Sequence, residues 1–541
     1  MARFNQPVKT NTLTKTTNHQ GGVAWHSDNP AIELLFTAAT TYVGEDTFYE
    51  KANDRTQRLV NLVHAATKRN PKDVEVVAQQ LRHDFKIRTA SILVAAEYAA
   101  ASGPNVRKIV DSVLARADEP GELLAYWTNK HGRKIPRGIK TGIGDAARRL
   151  YTQKNAIKYD TASKGFRFGD VLELCHVHPK FQYETDGEVK TGDKSALFKF
   201  VLDDRHHGDA TAIDNESTVI EGLGLIAKHD TLSKLPEKDR RAYLREHGYQ
   251  ALDDAGFTWE RLSSWLPGGM DAEAWEAIIP SMGVFALVRN LRNFDDARIS
   301  SKMVDHVISK ITDPEGVEQS RMFPYQVLLA YQHAKSDNWK RALNTTVDLA
   351  SGNLPRLDGS LIVIDTSGSM QQELSSKSKA DRVTVAGLQA ASIARHSKNC
   401  KVVIYGHSNR DITKEVRGKS LLGAAEYIHR QVGSVGHATY GHTAIRDHFD
   451  PANHARAIIF TDDQQQDSTD GNDVDTWGYR ASVKADIKHV PQVITFNIGG
   501  YGTQATMGKG RIHVTGFSDA IFVAVARILQ MDLSEPAGTT V

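Results

Sequence analysis

The chain has 541 residues with a formal net charge of +2, 40% apolar and 24% charged residues, 16 prolines and two cysteines. That length exceeds what one core organises and calls for two or three domains. Two distant cysteines, Cys175 and Cys400, exclude a disulfide framework and a cysteine-rich zinc module. The N-terminal stretch lacks the apolar core of a signal peptide, and no apolar run is long enough to span a bilayer, so a cytoplasmic protein with no membrane partner is expected.

The small net charge hides polarity. Residues 51–180 carry 24 Lys/Arg against 13 Asp/Glu, whereas residues 181–350 carry 20 against 28. A nucleic-acid surface confined to the first third fits this asymmetry, as does an uneven spread of solvated helix faces. From about residue 30 to 350 apolar residues recur at three- and four-residue spacings, as in "DRTQRLVNLVHAATKR", "PKDVEVVAQQLRHDF" and "NVRKIVDSVLARAD". Short polar, Gly or Pro breaks separate these segments, which predicts stacked antiparallel helices, an irregular α-solenoid. Between 130 and 168 Lys and Arg are dense, with Lys134, Arg137, Lys140, Lys154, Lys158 and Lys164 among them. Tyr151, Tyr159, Phe166 and Phe168 are interleaved there, either as core residues or as platforms for unpaired bases. The pair His176 and His178 has no third ligand at metal-binding spacing, so a zinc site is rejected.

After "SGNLPRLDG" the texture changes. Apolar runs such as "LIVID", "KVVIY", "RAIIF" and "QVITFN" alternate with helical segments, which predicts a doubly wound parallel sheet with its site beyond the strands' carboxyl ends. The stretch "DTSGS" puts Asp365, Ser367 and Ser369 at such an end, and "GHTAIRD" and "FTDD" add Thr443 and Asp462. Carboxylates and hydroxyls are hard oxygen donors suited to Mg²⁺ or another divalent cation. The alternative is a turn that caps the next helix. "DTSGSM" does not fit a nucleophile elbow, and "TMGKGR" lacks the hydroxyl and spacing of a phosphate-binding loop.

These three segments together resemble the metal-ion-dependent adhesion site of von Willebrand factor A domains, with Asp463 standing where that family often has Gly. The segments "GDVLELCHVHPK", "IIPSMGVFALVRNLRNFDDA" and "RMFPYQVLLAYQHA" resemble signature stretches of the TROVE domain, and the pairing with an A domain resembles the Ro autoantigen family and its bacterial orthologues. That resemblance implies a HEAT-like helical repeat ring over 1–355, with an N-terminal arm to about 25, followed by an α/β A domain over 356–541. It implies a monomeric, non-catalytic protein that binds Y RNA and misfolded small RNAs, whose 3′ ends enter a central hole. An exoribonuclease such as polynucleotide phosphorylase is the implied partner. His176 takes the family's Y RNA role, and Lys158 and Lys164 lie near its upstream basic positions. Two rival readings remain open: a protein-interaction scaffold that captures a partner through the metal, and a nuclease built on Asp462, Asp463 and Asp467.

Overall fold

The computed structural model describes residues 14–17, 23–26, 30–40, 52–85, 87–185, 187–208, 210–214, 217–352, 354, 356–375, 378–462, 467, 485–498 and 511–515. The helix that the run "DAIFVAVARILQM" predicts over 519–531, and Asp463, lie outside them. The chain divides into two compact units, one of Ser91–Gly316 with Ala334–Trp339, the other of Met1–Ala90, Val317–His333 and Lys340–Val541. The grouping is therefore interleaved along the sequence, whereas the compositional texture changes once, near 355. Among the described residues, no helix is long and apolar enough to cross a membrane.

The unit that begins at Ser91 is helical. Its early part runs through α1 (Val106–Val113), α2 (Glu119–His131), α3 (Arg137–Leu150), α4 (Gln153–Tyr159) and α5 (Phe168–Cys175). The expected helix over 105–118 stops at Val113 because the Glu119 carboxylate draws the chain into a turn. Its Oε2 accepts the backbone N–H groups of Ala115 and Arg116 at 2.7 and 2.9 Å. Helix α3 lies against α1 at a distance that only glycine permits. A Cβ on Gly142 would stand 2.6 Å from the Arg107 carbonyl oxygen and 2.7 Å from the Val110 Cβ. The same contact carries a two-pronged ion pair from Arg107 to Asp145, Nε to Oδ2 at 2.5 Å and Nη2 to Oδ1 at 3.1 Å.

After α5 comes a hairpin absent from the helical expectation: β1 (Lys180–Thr185) pairs antiparallel with β2 (Glu188–Asp193). Most of its side chains face solvent on both surfaces, so no alternation marks it in the sequence. Helix α6 (Ser195–His206) returns the chain to α5.

The other unit contains a six-stranded sheet. Its elements are β3 (Ser360–Asp365), α7 (Arg382–His396), β4 (Lys401–Tyr405), β5 (Asn409–Asp411), α8 (Leu421–His429), α9 (Gly441–His448), β6 (Arg456–Thr461), β7 (Gln492–Asn497) and β8 (Arg511–Thr515). The spatial order is β8-β7-β6-β3-β4-β5. All neighbours pair parallel except β5, which runs antiparallel to β4. The sheet is thus mixed rather than purely parallel, since three polar residues, "NRD", suffice to add an edge strand. Every residue of β3 is buried, as strands covered on both faces require. The order reverses between β3 and β6, so the crevice at their carboxyl ends is the fold's binding position.

Candidate metal centre and nucleic-acid interface

Strands β3 and β6 run side by side, with Phe460 opposite Ile364, and deliver Asp365 and Asp462 to neighbouring strand ends. Asp365 is fully buried and turned inward. Its Oδ1 accepts the Ser367 N–H at 2.8 Å, and its Oδ2 accepts the Thr461 hydroxyl at 3.0 Å. The loop is anchored beneath by Thr366, whose N–H and hydroxyl donate to the Tyr405 carbonyl at 3.0 and 3.1 Å. That folding leaves the Ser367 and Ser369 hydroxyls 3.2 Å apart, with Ser369 half-buried. Burial, and then the adjacent charge of Asp462, raise the Asp365 carboxyl to about 7, against the opposing hydrogen bonds from Ser367 and Thr461.

Asp462 has a partner that the sequence reading did not single out. Its Oδ2 accepts from Arg382 Nη1 at 3.1 Å, and both side chains are buried, at 0% and 2% exposure. Thr443, the third residue of α9, is tied to Asp467, whose Oδ2 accepts its N–H at 2.6 Å and its hydroxyl at 2.9 Å. The other oxygen of Asp467 pairs with His442 Nδ1 at 2.9 Å. Burial works against protonation of His442, but the Asp467 charge and hydrogen bonds outweigh it and hold the imidazole above its ordinary value. The structure therefore brings Asp365, Ser367 and Ser369 together, places the charge of Asp462 beside them, and gives Thr443 to Asp467. Among the described residues, no group of three or more His, Cys, Asp or Glu side chains is placed to hold a metal. Any centre here draws on hydroxyls.

The basic segment forms the second candidate. Lys134, Arg137, Lys154, Lys158, Lys164 and His176 are exposed and Lys140 is half-buried. Lys164 Nζ lies 3.5 Å from Asp118. Lys134, Arg137, Lys140, Lys154 and Lys158 make no ion pair among the described residues. By contrast, Arg148 and Arg149 on α3 are engaged by Asp145 and Asp111 at 3.2 and 2.8 Å. His176 ends α5 in the left-handed region, at φ 53°, which turns its ring to solvent. Two of the aromatics are core. Tyr151 is fully buried and stacks on Phe168 at 3.8 Å between centroids, 3° from parallel. Tyr159 is half-buried, with Lys158 and Arg116 over its ring at 5.2 and 5.4 Å.

The sequence model of the TROVE domain matches residues 254–405. No curated protein sequence matches the chain. A crystal structure of the Deinococcus radiodurans Ro (Rsr) protein aligns with a TM-score of 0.63 at 17% sequence identity, over 92% of this chain and 99% of that chain. At such identity the likeness establishes the fold.

Proposed function

From the match of residues 254–405 to the TROVE domain, we propose that the chain is a non-catalytic RNA-binding protein of the Ro type, acting on Y RNA and misfolded small RNAs. The observation that carries this reading is the set of cations on α3, α4 and their flanking loops that no carboxylate among the described residues neutralises. Lys134, Arg137, Lys140, Lys154 and Lys158 are available to a phosphate backbone, and such contacts give salt-dependent, weakly sequence-selective binding. His176 stands at the end of α5, on the segment that resembles the family's Y RNA surface. In this reading, backbone electrostatics grips a duplex while the central hole implied by the family resemblance takes a single-stranded 3′ end. Misfolded RNA offers both features; compact RNA hides one. Degradation or trimming then belongs to a partner exoribonuclease.

The oxygen donors at the ends of β3 and β6 fit a hard divalent cation such as Mg²⁺ in an A domain over 356–541. Ser367 and Ser369 would be direct ligands, Asp365 and Asp462 would supply negative charge, and Thr443 would join from α9. Such an ion supplies an attachment point for an anionic oxygen of a partner. The paired hydroxyls favour this as a second activity, capture of a protein partner, beside RNA binding.

Binding of an RNA hairpin with and without a 3′ tail, across a salt series, tests the main reading. The tailed hairpin is expected to bind more tightly, with a steep loss of affinity as salt rises. Equal affinity for both, without a salt slope, rejects it.

A further inference from the structure

The guanidinium of Arg382 sits where the chain's physics disfavours it. It occupies the first turn of α7, where the helix dipole repels a cation, and it is 2% exposed. A buried charge in that position is sustained only by compensation, and a compensating group is Asp462, itself fully buried, at 3.1 Å. The planar guanidinium of arginine suits such a buried pairing with a carboxylate. Asp462 stands close enough to Asp365 for its charge to act on that carboxyl. With both carboxylates ionised, the three side chains sum to one negative charge rather than two.

We infer that Arg382 is a built-in counter-cation of the centre between β3 and β6, neutralising Asp462 when no divalent ion is bound and competing with such an ion for that carboxylate. The inference rests on the metal-binding reading of the Ser367–Ser369 hydroxyl pair and adds to it a tethered competitor that weakens cation binding and keeps the loop folded without metal. Ion and guanidinium repel one another across the shared carboxylate, so each loosens the other's hold. The centre is thereby an exchangeable one, filled and emptied within the folded protein.

The test uses the full-length chain with Mn²⁺ as probe, its binding read from the paramagnetic resonance of the free ion and its effect on folding from thermal melting. Arg382→Gln is expected to bind Mn²⁺ at least about tenfold more tightly than the wild type, because a like charge next to the ion is gone. Arg382→Lys, which keeps the charge, is expected to stay near the wild-type affinity. At one fixed Mn²⁺ concentration the wild type should gain only a small rise in melting temperature over EDTA, whereas Arg382→Gln should melt lower in EDTA and gain a larger rise, as tighter binding to the folded state requires. A glutamine variant that is folded only in Mn²⁺ meets the same expectation. Mn²⁺ binding to Arg382→Gln no tighter than to the wild type overturns the inference. So does a variant that fails to fold in both conditions, since the ion then cannot take the guanidinium's place. Ser369→Ala, in either background, tests the underlying metal reading separately: unchanged Mn²⁺ binding there removes the site, whatever Arg382 does.

Discussion

Thr461 and Asp365 join the ends of the two strands that flank the sheet's reversal: the threonine hydroxyl donates to Asp365 Oδ2 at 3.0 Å, and both residues are fully buried. Removing the hydroxyl leaves a buried carboxylate oxygen without this donor, a loss of about 1–3 kcal/mol. Thr461→Val is therefore expected to lower the stability of the sheet-containing unit by that amount in urea unfolding, and Thr461→Ser to restore most of it. Equal stability of the valine variant and the wild type would show that Asp365 does not depend on this bond.

The close crossing of α1 and α3 predicts a penalty for the smallest possible enlargement. A methyl group at Gly142 meets the Arg107 carbonyl and the Val110 side chain at 2.6 and 2.7 Å, closer than real contacts allow. Gly142→Ala should destabilise the helical unit by about 1–3 kcal/mol through overpacking, even though alanine is the better helix former. A variant that unfolds at the same denaturant concentration as the wild type would contradict the close packing.

For the cationic surface, the expected signature is a change in salt dependence. Replacing Lys134, Arg137 and Lys140 together by alanine should weaken RNA binding uniformly across sequences and reduce the slope of log affinity against log salt by about one unit per phosphate-contacting residue. Arg149→Ala, at a residue already held by Asp111, should leave that slope unchanged. Identical slopes for the triple variant and the wild type would place the RNA elsewhere.

His176 permits fold and binding to be separated. Its φ of 53° is strained for a side-chain-bearing residue and free for glycine. His176→Gly should raise stability by about 1 kcal/mol while weakening Y RNA binding, the opposite signs that a contact residue on a strained cap predicts. Unaltered RNA affinity in this variant would remove His176 from the interface.

Cys175 offers a readout of the helical unit's integrity. Burial pushes its thiol up to about 12, with the nearby Lys140 charge opposing only in part, so at pH 8 almost none of it is thiolate. Iodoacetamide is expected to label it slowly in the native protein and quickly once denaturant opens the unit. Rapid labelling of the folded chain would mean that α3 and α5 do not enclose it.

What the sequence discloses and what it withholds follow physical lines. The strand carrying Asp365 is legible because an apolar run buried on both faces ends in an abrupt cluster of oxygen donors. The helix ending at Cys175 is legible because its apolar residues keep helical spacing. The Lys180–Asp193 hairpin is hidden, since strands exposed on both surfaces have no core to impose a period. Arg382 reads as an ordinary first-turn residue of "DRVTVAGLQ", and only the fold reveals that it lies 80 positions from the carboxylate it neutralises. Thr461 escapes for the same reason, its partner being 96 residues away, and Asp467 is legible only as one of an acidic cluster, not as the partner of Thr443, 24 residues away. Tyr151 and Phe168, interleaved with cations, leave core and base stacking both open in the sequence; the fold places them in the core, stacked on each other.

The antiparallel strand β5 has a further consequence. A parallel sheet that stopped at β4 would offer a continuous row of unsatisfied N–H and C=O groups to any extended polypeptide nearby. Instead that side ends in three residues, with Arg410 and Asp411 exposed, too short and too charged to template a neighbour's strand. Copies of this protein brought close together are therefore not invited to aggregate through that margin.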